Sequence, residues 1–363
     1  MPEQAFTHLA ALFLALAFNY IVGFHDAAST IAPAIATRAL TARAALMLAA
    51  VSNLAGSLIS HKVAYTIASG VADPHFMDSQ VVVCGLLSAT IWNLFTWRFG
   101  LPSSSSHALI SGLLGAAVAK ASTMDGALTA PIHWSALFQI AMALFTSPVF
   151  GFLVGFAFFR IAARWAGSAG PVATSIQKSN RVYARLQVAS AALSSMAHGA
   201  NDAQKTMGVM ALVLMHGGYS EGLQVPLWVT AACAITLSLG TLSGGWRIIR
   251  SVAKKITDIQ PVHGFSADAA TGAVLSAATS LGMPVSTTHV AISSIIGVGA
   301  AKTAGKMGRD MVTHLIYAWA ATIPVTALIS LLSYRLALRV GFDAFLVAVF
   351  CASALLFLLK AKK

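Results

Sequence analysis

Two aspartates lie inside long apolar segments of this 363-residue chain, Asp26 in the sequence GFHDAAS and Asp202 in the sequence HGANDAQK. A carboxylate at the centre of a membrane helix costs about 2.5 to 3.5 kcal/mol on insertion scales, and such residues are usually functional. Both are therefore predicted to bind a substrate or a coupling ion. In the alternative interpretation they are structural, and their partners are Lys205, three residues after Asp202, and His25, beside Asp26.

Two motifs, each a proline followed by hydroxyl side chains and a histidine, precede apolar helical runs: LPSSSSH from Leu101 and MPVSTTH from Met283. Proline with hydroxyls at the cap positions predicts a helix start, whose free N–H groups and dipole favour an anion. A single motif would indicate only a helix cap, whereas its duplication favours a binding site. The predicted substrate ligands are Asp26, Ser104, Ser105, Ser106, His107, Asn201, Asp202, Ser286, Thr287, Thr288 and His289.

Titratable side chains near these motifs are candidates for coupling transport to an ion. His25 adjoins a buried acid, and histidine changes charge near physiological pH, which makes it the best proton candidate. His107 and His289 fit proton transfer and a hydrogen-bonded core role equally well. Gly23 and Gly199, beside the acids, predict local helix breaks that expose carbonyl oxygens to a cation. The predicted coupling-ion residues are His25, Asp26, Asp202 and Lys205.

Both kinds of motif occur twice, in the same order. Residues 23–27 align with residues 199–203 at an offset of 176, and residues 101–120 align with residues 283–302 at an offset of 182. Repetition of two polar motifs at nearly constant spacing indicates an internal duplication. The predicted organisation is a first transmembrane repeat at 1–166, a central polar loop at 167–181 and a second transmembrane repeat at 182–363.

The composition is that of a membrane protein. Hydrophobic residues make up 57% of the chain and charged residues 9%, against about 25% charged in an average soluble domain. The net charge of +12 comes from basic residues at the ends of apolar segments. The positive-inside rule accounts for them, so nucleic acid is excluded as a partner and the lipid bilayer is expected. Three cysteines, placed singly in apolar stretches, give no metal or disulfide framework, and no cofactor is predicted.

Apolar runs separated by basic or Gly/Pro-rich breaks define the predicted helices. They lie at residues 8–37, 43–61, 79–99, 106–120, 134–159, 186–215, 226–246, 265–282, 290–301, 311–334 and 342–359. The runs 79–99/106–120 and 265–282/290–301 each fit two full crossings or one re-entrant hairpin. A Ser/Thr-rich break at membrane depth favours the hairpin, because it can line a water-filled cavity.

The distribution of Lys and Arg predicts the orientation of these runs. Breaks at 62–78, 121–133 and 216–225 contain few or none of them and are predicted to face outward, while the basic breaks face the cytoplasm. Arg335 and Arg339 are exceptions, since they fall outside. The N-terminus is then outside and the C-terminus inside. The two repeats are predicted to be inverted relative to each other, as in many secondary transporters.

At these motifs the sequence resembles the inorganic phosphate transporter (PiT) family, whose signature is approximately G-A-N-D-x-A-N followed by P-x-S-[ST]-[ST]-H in each half. HGANDAQK and GMPVSTTH carry the resemblance in the second half, and GFHDAAS and GLPSSSSH in the first. The resemblance implies phosphate import driven by a cation gradient, commonly in a homodimer. His25 resembles the bacterial low-affinity branch, which implies proton coupling and uptake of phosphate complexed with a divalent metal. Ser29 departs from that branch, where asparagine is usual.

The chain is thus predicted to be an all-α, inverted-repeat secondary transporter without enzymatic activity. It would carry inorganic phosphate across the cytoplasmic membrane by alternating access, with protons favoured over sodium as the coupling ion. A carboxylate can accept a hydrogen bond from protonated phosphate, whereas sulfate has no hydrogen to give. The alternatives are a transporter of another oxyanion such as sulfate, an intramembrane hydrolase and a passive channel.

Overall fold

The computed structural model describes residues 2–124, 129, 132–167, 172–255, 259–302 and 309–361. Within these ranges the chain is helical apart from its connections, with a 3-10 turn at Pro74–Phe76. The α-helices are α1 (Pro2–Ala36), α2 (Ala42–Ser57), α3 (Lys62–Gly70), α4 (Ser79–Arg98), α5 (Ser105–Ala121), α6 (Trp134–Gly167), α7 (Val172–His216), α8 (Leu227–Ser243), α9 (Trp246–Lys255), α10 (Pro261–Ser280), α11 (Thr287–Lys302), α12 (Arg309–Val340) and α13 (Phe342–Ala361). The all-α prediction is confirmed.

The surface of the bundle is apolar, and much of its interior is polar. Leu227 and Trp165 are 81% and 76% exposed, whereas His25, Asp26 and Asn201 are buried. This reversal of the soluble pattern suits a protein surrounded by lipid. The helices α2/α3 and α8/α9 form two bent pairs, each long and apolar enough to count as one further span. The unbroken segments that could cross a membrane are Ala5–Ala36, Ser79–Arg98, Trp134–Trp165 and Ile316–Val340. The chain is a multi-pass membrane protein.

The helices of the two halves follow the same order. α1 corresponds to α7, the bent pair α2/α3 to α8/α9, the pair α4/α5 to α10/α11, and α6 to α12. Pro148 and Pro324 lie at matching places inside α6 and α12. The halves pack crosswise, with α1 against α8 and α7 against α2, and with α5 against α12 and α11 against α6. The interior is therefore built from both halves together.

The helices that carry the two aspartates are continuous, so the prediction of local breaks at Gly23 and Gly199 is wrong. Each glycine lies where two helices cross. A Cβ at Gly23 would overlap the carbonyl oxygen of Leu237 in α8, and a Cβ at Gly199 would overlap that of Asn53 in α2. The absent side chains allow close packing. Each half does contain a broken helix, but it is the next one: α2/α3 bend by 72° and α8/α9 by 64°.

The helices α4 and α5 form a hairpin whose two outer ends lie together. Asp78, which caps the start of α4, pairs with Lys120 near the end of α5 at 2.7 Å. Asp78 also lines a cavity of about 560 Å³ with Thr7, near the start of α1. The hairpin therefore enters the bundle from the end at which α1 begins.

The helices α10 and α11 form a second hairpin, which enters from the opposite end. His263 in α10 and Val298 in α11 line a small cavity with Pro33, near the end of α1. About 39 Å of helix separates Pro33 from Thr7, which lies near the start of α1. The tips of the two hairpins meet inside the bundle, where the Ser106 hydroxyl donates to the Val285 carbonyl at 3.0 Å.

The polar segment predicted as a central loop at 167–181 is partly helical. The helix α7 begins at Val172, so residues 172–181 belong to it. Residues 168–171 lie outside the described part of the chain. Polar composition alone does not exclude a helix, because a helix can carry polar residues on a face that contacts water.

Candidate functional site

Asp26 lies at the tip of the first hairpin, where two side chains contact its carboxylate. Nδ1 of His25 lies 2.6 Å from Oδ1, and the Ser105 hydroxyl donates to Oδ2. Nε2 of His25 lies 3.1 Å from the Thr96 hydroxyl, which in turn contacts Ser103 at 2.8 Å. Because Ser105 opens α5, the start of that helix faces the acid. The first carboxylate is thus held between a histidine and a helix-start hydroxyl.

Asp202 has the equivalent place at the tip of the second hairpin. The Thr287 hydroxyl, at the start of α11, donates to Oδ2 at 2.8 Å. The Lys205 ammonium donates to Oδ1. Nε2 of His198, one turn earlier on α7, lies 3.0 Å from Oδ2. The second carboxylate is therefore also held between a histidine and a helix-start hydroxyl, with an ammonium group added.

Lys205 joins the two halves of the site. Besides Asp202, its Nζ donates to the Ser106 hydroxyl at 2.6 Å and to the Val285 carbonyl at 2.8 Å. Ser106 belongs to the first hairpin and Val285 to the second. A single buried ammonium thus touches both hairpin tips and one carboxylate, which makes one continuous polar site from two separate motifs.

His107 is fixed in one tautomer by its neighbours. The indole N–H of Trp319 donates to Nε2 at 2.7 Å, so Nδ1 carries the hydrogen and donates to the Ser104 hydroxyl at 2.7 Å. Ser104 also accepts the backbone N–H of His107 at 3.2 Å. With both of these bonds accepted, the Ser104 hydroxyl hydrogen is available to a ligand. The arrangement favours the hydrogen-bonded role for His107 over proton transfer.

Two predicted ligands in the second motif have no partner in the described part of the chain. The hydroxyl of Thr288 and both ring nitrogens of His289 are buried and make no hydrogen bond there. A buried polar group left unsatisfied costs about 1 to 3 kcal/mol. A bound ligand or water would remove that cost. The His289 ring lies 5.4 Å from the His107 ring, centroid to centroid, so the unsatisfied groups adjoin the same site.

Asn201 supports the hairpin tip instead of pointing freely into the site. Its amide nitrogen donates to the Thr279 hydroxyl at 3.0 Å and to the Met283 carbonyl at 3.2 Å. Its oxygen lies 3.4 Å from the backbone nitrogen of Val285. Ser286 accepts the backbone N–H of His289 at 3.3 Å and so caps α11. These two predicted ligands hold the tip in the structure as it stands.

The site is closed to solvent. Asp26, Ser105, Asp202 and Thr287 are each at most 2% exposed. Polar groups this deeply buried in an apolar bundle are retained only where they are paired, and most of these groups are paired with one another. The structure therefore represents an occluded arrangement of the site, in which neither end of the bundle has open access to the two carboxylates.

Sequence reasoning missed His198 and the aromatic partner Trp319. The spacing of His198, four residues before Asp202, places both on one helix face and could have identified it. Trp319 lies far away in the sequence, and no local pattern connects it to the site. Among the described residues, no group of three metal-ligating side chains is present that could hold a metal ion.

Comparison with known proteins gives consistent matches to phosphate transporters. Residues 22–330 match the family model described as "Phosphate transporter family". A "Probable low-affinity inorganic phosphate transporter" of Bacillus subtilis (strain 168) is 39% identical over 88% of this chain and 94% of its own length. The protein of the same name from Rhizobium meliloti (strain 1021) is 41% identical over 88% of this chain and 93% of its own. A solved structure titled "The sodium-dependent phosphate transporter" superposes with a TM-score of 0.81 at 22% identity, covering 92% of this chain and 99% of that one.

Proposed function

The chain belongs to the phosphate transporter family, and on that premise we propose that it imports inorganic phosphate across the cytoplasmic membrane by proton symport. Membership of a transporter family sets aside the intramembrane hydrolase. The remaining questions are which oxyanion is carried, which ion drives it and how the site opens to each side.

One observation carries the choice of phosphate: two buried carboxylates, Asp26 and Asp202, lie beside helix starts and hydroxyl donors at one site. The helix starts and hydroxyls suit the oxygens of an anion. The carboxylates would repel an anion that has no hydrogen. Phosphate at neutral pH retains a proton and can donate it in a hydrogen bond to a carboxylate, whereas sulfate cannot. The hydroxyls and helix starts thus bind the phosphate oxygens, while the carboxylates of Asp26 and Asp202 discriminate against sulfate.

The contacts of Lys205 support a proton over sodium as the coupling ion. Its ammonium is surrounded by a carboxylate oxygen of Asp202, a hydroxyl oxygen of Ser106 and a carbonyl oxygen of Val285. Such oxygens are the ligands that a hard cation prefers. The side chain therefore occupies a place that a coupling cation could otherwise take. The solved neighbour is sodium-dependent by its title, but at 22% identity it is a guide to the fold alone.

Alternating access is supported by the arrangement of the hairpins. Each hairpin extends inward from one end of the bundle, and the two tips meet at the site through Ser106 and Val285. Withdrawal of one tip at a time would open the site to one side only. This motion requires inverted repeats with re-entrant hairpins, which we propose for the two halves, with the N-terminus outside. A homodimer and uptake of phosphate as a divalent-metal complex are further parts of the proposal.

Transport by purified protein in sodium-free liposomes tests the function directly. An inward proton gradient should drive accumulation of labelled phosphate, a protonophore should collapse it, and excess sulfate should not compete. Adding magnesium or a chelator separates the metal complex from free phosphate. Because phosphate protonation itself changes with pH, proton movement must be recorded together with uptake. Strict sodium dependence without proton movement would contradict proton coupling, and equal competition by sulfate would contradict the substrate.

The variant Lys205→Ala separates the two ions more sharply. Removing the ammonium leaves three oxygen ligands without a cation. We expect proton-driven uptake to fall and phosphate binding to become stimulated by sodium. Lys62→Ala, an exposed lysine that donates to the Ser280 carbonyl at the surface of the second hairpin, is the matched control. Sodium stimulation in the wild-type protein would contradict the proposal that the Lys205 ammonium takes the place of a coupling cation.

A further inference from the structure

His198 is a fully buried histidine on α7, one helical turn before Asp202. Its two ring nitrogens have different neighbours. Nδ1 lies 3.0 Å from Oδ1 of Asn53 in α2, and Nε2 lies 3.0 Å from Oδ2 of Asp202. Both neighbours are oxygen atoms. If an oxygen can only accept a hydrogen bond, the ring nitrogen that faces it must carry a hydrogen to bond to it.

The orientation of the Asn53 amide is fixed by Thr241. The amide nitrogen of Asn53 donates to the Thr241 hydroxyl at 2.9 Å. That hydroxyl has the carbonyls of Leu237 and Gly23 as its own acceptors, at 3.0 and 3.1 Å. The Asn53 oxygen therefore faces His198 and can only accept. Nδ1 of His198 must carry a hydrogen.

A neutral imidazole with its hydrogen on Nδ1 presents a lone pair at Nε2. That lone pair would face a carboxylate oxygen of Asp202 at 3.0 Å, and two acceptors at this distance repel each other. No hydrogen bond joins Nε2 to Asp202 in the described structure, and one additional proton would turn this repulsion into attraction between an imidazolium and a carboxylate. We infer that His198 and Asp202 share a bound proton and that this pair is the proton-coupling site of the second half. The inference rests on the proposed symport function and names where one coupling proton sits.

The charged groups around the pair are consistent with this role. Lys205 on the same helix donates to the other carboxylate oxygen. The helices packed against α7 carry these ionisable groups: Arg43 on α2, Lys62 and Tyr65 on α3, Cys84 and Arg98 on α4, Arg160 and Arg164 on α6, Cys233 on α8, His263 and Asp268 on α10, and His289 and Lys302 on α11. Gln187 contacts Asp268 at 3.4 Å. The Thr287 hydroxyl donates to the same oxygen that faces His198. From the other motif, α1 presents His25 and Asp26.

Proton binding at this pair would change the charge that phosphate meets. With Lys205 charged, the cluster of His198, Asp202 and Lys205 has no net charge without the extra proton and one positive charge with it. An anion therefore binds more favourably to the protonated cluster, and the proton is released more readily once the anion has left. Binding of the proton therefore strengthens binding of phosphate, and binding of phosphate strengthens binding of the proton.

The first half has the same three kinds of group. Asp26 is held by His25 and Ser105, as Asp202 is held by His198 and Thr287. The two histidines do not align in the sequence repeat, because one precedes its acid by one residue and the other by four. In each half an acid thus contacts a histidine and a helix-start hydroxyl, although the histidine comes from a different sequence position. This similarity indicates one proton site in each half.

The variant His198→Gln tests the inference in sodium-free proteoliposomes. Glutamine can still donate to Asp202 but cannot take up a proton. We expect fewer protons to be moved per phosphate and weaker accumulation in a proton gradient, with exchange of labelled for unlabelled phosphate retained. His216→Gln is the matched control, a histidine on the same helix whose Nδ1 lies 3.0 Å from the Leu212 carbonyl, away from Asp202. An unchanged proton-to-phosphate ratio in His198→Gln would overturn the inference, while a wild-type protein that exchanges no phosphate would refute the proposed function itself.

The positioning residue Asn53 provides a second test. In Asn53→Ala the acceptor at Nδ1 is removed, so a neutral His198 can turn its single hydrogen toward Asp202. The pair then binds its extra proton less tightly, and half-maximal uptake should shift to lower pH by about one unit. An unchanged pH profile would overturn the inference. In the unmodified protein, nitrogen NMR of labelled histidine should reveal a buried imidazolium, and its absence would also overturn the inference.

Discussion

At the scale of single residues, Asp26 and Asp202 are each matched with a hydroxyl at a helix start and with a histidine. The sequence identifies the acids because ionisable residues are rare in apolar segments. It identifies the hydroxyls because they belong to a motif that occurs twice. It does not establish which hydroxyl contacts which acid. The structure assigns Ser105 to Asp26 and Thr287 to Asp202.

Removing either carboxylate charge should stop accumulation. We expect Asp26→Asn and Asp202→Asn each to abolish uphill uptake while the protein still folds into the membrane, because each acid is buried and makes specific hydrogen bonds. The measurement is labelled phosphate uptake at matched expression. Asp73→Asn, an aspartate exposed at the surface beside His133, serves as the control. Uptake at the wild-type level in either variant would return that acid to a structural role.

Removing one helix-start hydroxyl should weaken binding more than it weakens folding. Ser105→Ala and Thr287→Ala each delete a hydroxyl that donates to Asp26 or Asp202 in this structure and that we expect to turn to phosphate when it binds. A hydrogen bond to a charged group contributes about 1.5 to 3 kcal/mol. The expected loss in phosphate affinity is about tenfold or more, measured by calorimetry or by the concentration dependence of uptake. Ser280→Ala, an exposed serine that donates to the Ala277 carbonyl, is the control. Normal affinity in both variants would reduce the two motifs to helix caps.

At the scale of helices, the glycines next to the acids are contact points between the two halves. The sequence suggests flexibility at Gly23 and Gly199, since glycine weakens a helix. In the structure both helices continue without a break, and Leu237 and Asn53 of the partner helices lie in the space that a side chain would need. Close packing across the halves overrides the local propensity.

Adding a methyl group at these contacts should therefore destabilise the bundle. We expect Gly23→Ala and Gly199→Ala each to lower the free energy of unfolding by about 1 to 3 kcal/mol, as overpacking does in other cores. Thermal unfolding in detergent measures the effect. At Gly70 the nearest atom to the new Cβ would be the flexible end of the Ile140 side chain, with Ala136 at ordinary contact distance, so Gly70→Ala should be milder. Equal stability of all three variants would show that the crossing helices can move apart without cost.

At the scale of the whole molecule, the two ends of the bundle differ in composition. The end at which α1 starts gathers Thr7, Asp78 and His216 around one cavity. At the other end, where α1 ends, Ile31 packs against Ile248 and Ile249 of α9, the helix that carries Arg247 and Arg250. The positive-inside rule predicts that the second, arginine-bearing end faces the cytoplasm.

Labelling of introduced cysteines tests this orientation. In a Cys351→Ser background, which leaves only the buried Cys84 and Cys233, a membrane-impermeant thiol reagent should label Glu221→Cys in intact cells. It should label Arg250→Cys only after permeabilisation. Both positions are exposed in the structure. The reverse pattern would invert the predicted topology without affecting the choice of substrate.

The sequence by itself determined the all-helical membrane fold, the duplicated motifs and the candidate site, because these depend on composition and on patterns within one segment. The tertiary structure decided the rest. It turned Lys205 inward to Ser106, 99 residues away, and it joined Ser106 to Val285 across 179 residues. It also placed the broken helices one element later than predicted, and it placed His198 between Asn53 and Asp202. Such contacts depend on how the helices cross. Helix crossings are determined by packing against segments far away in the sequence, so a pattern within one segment cannot predict them.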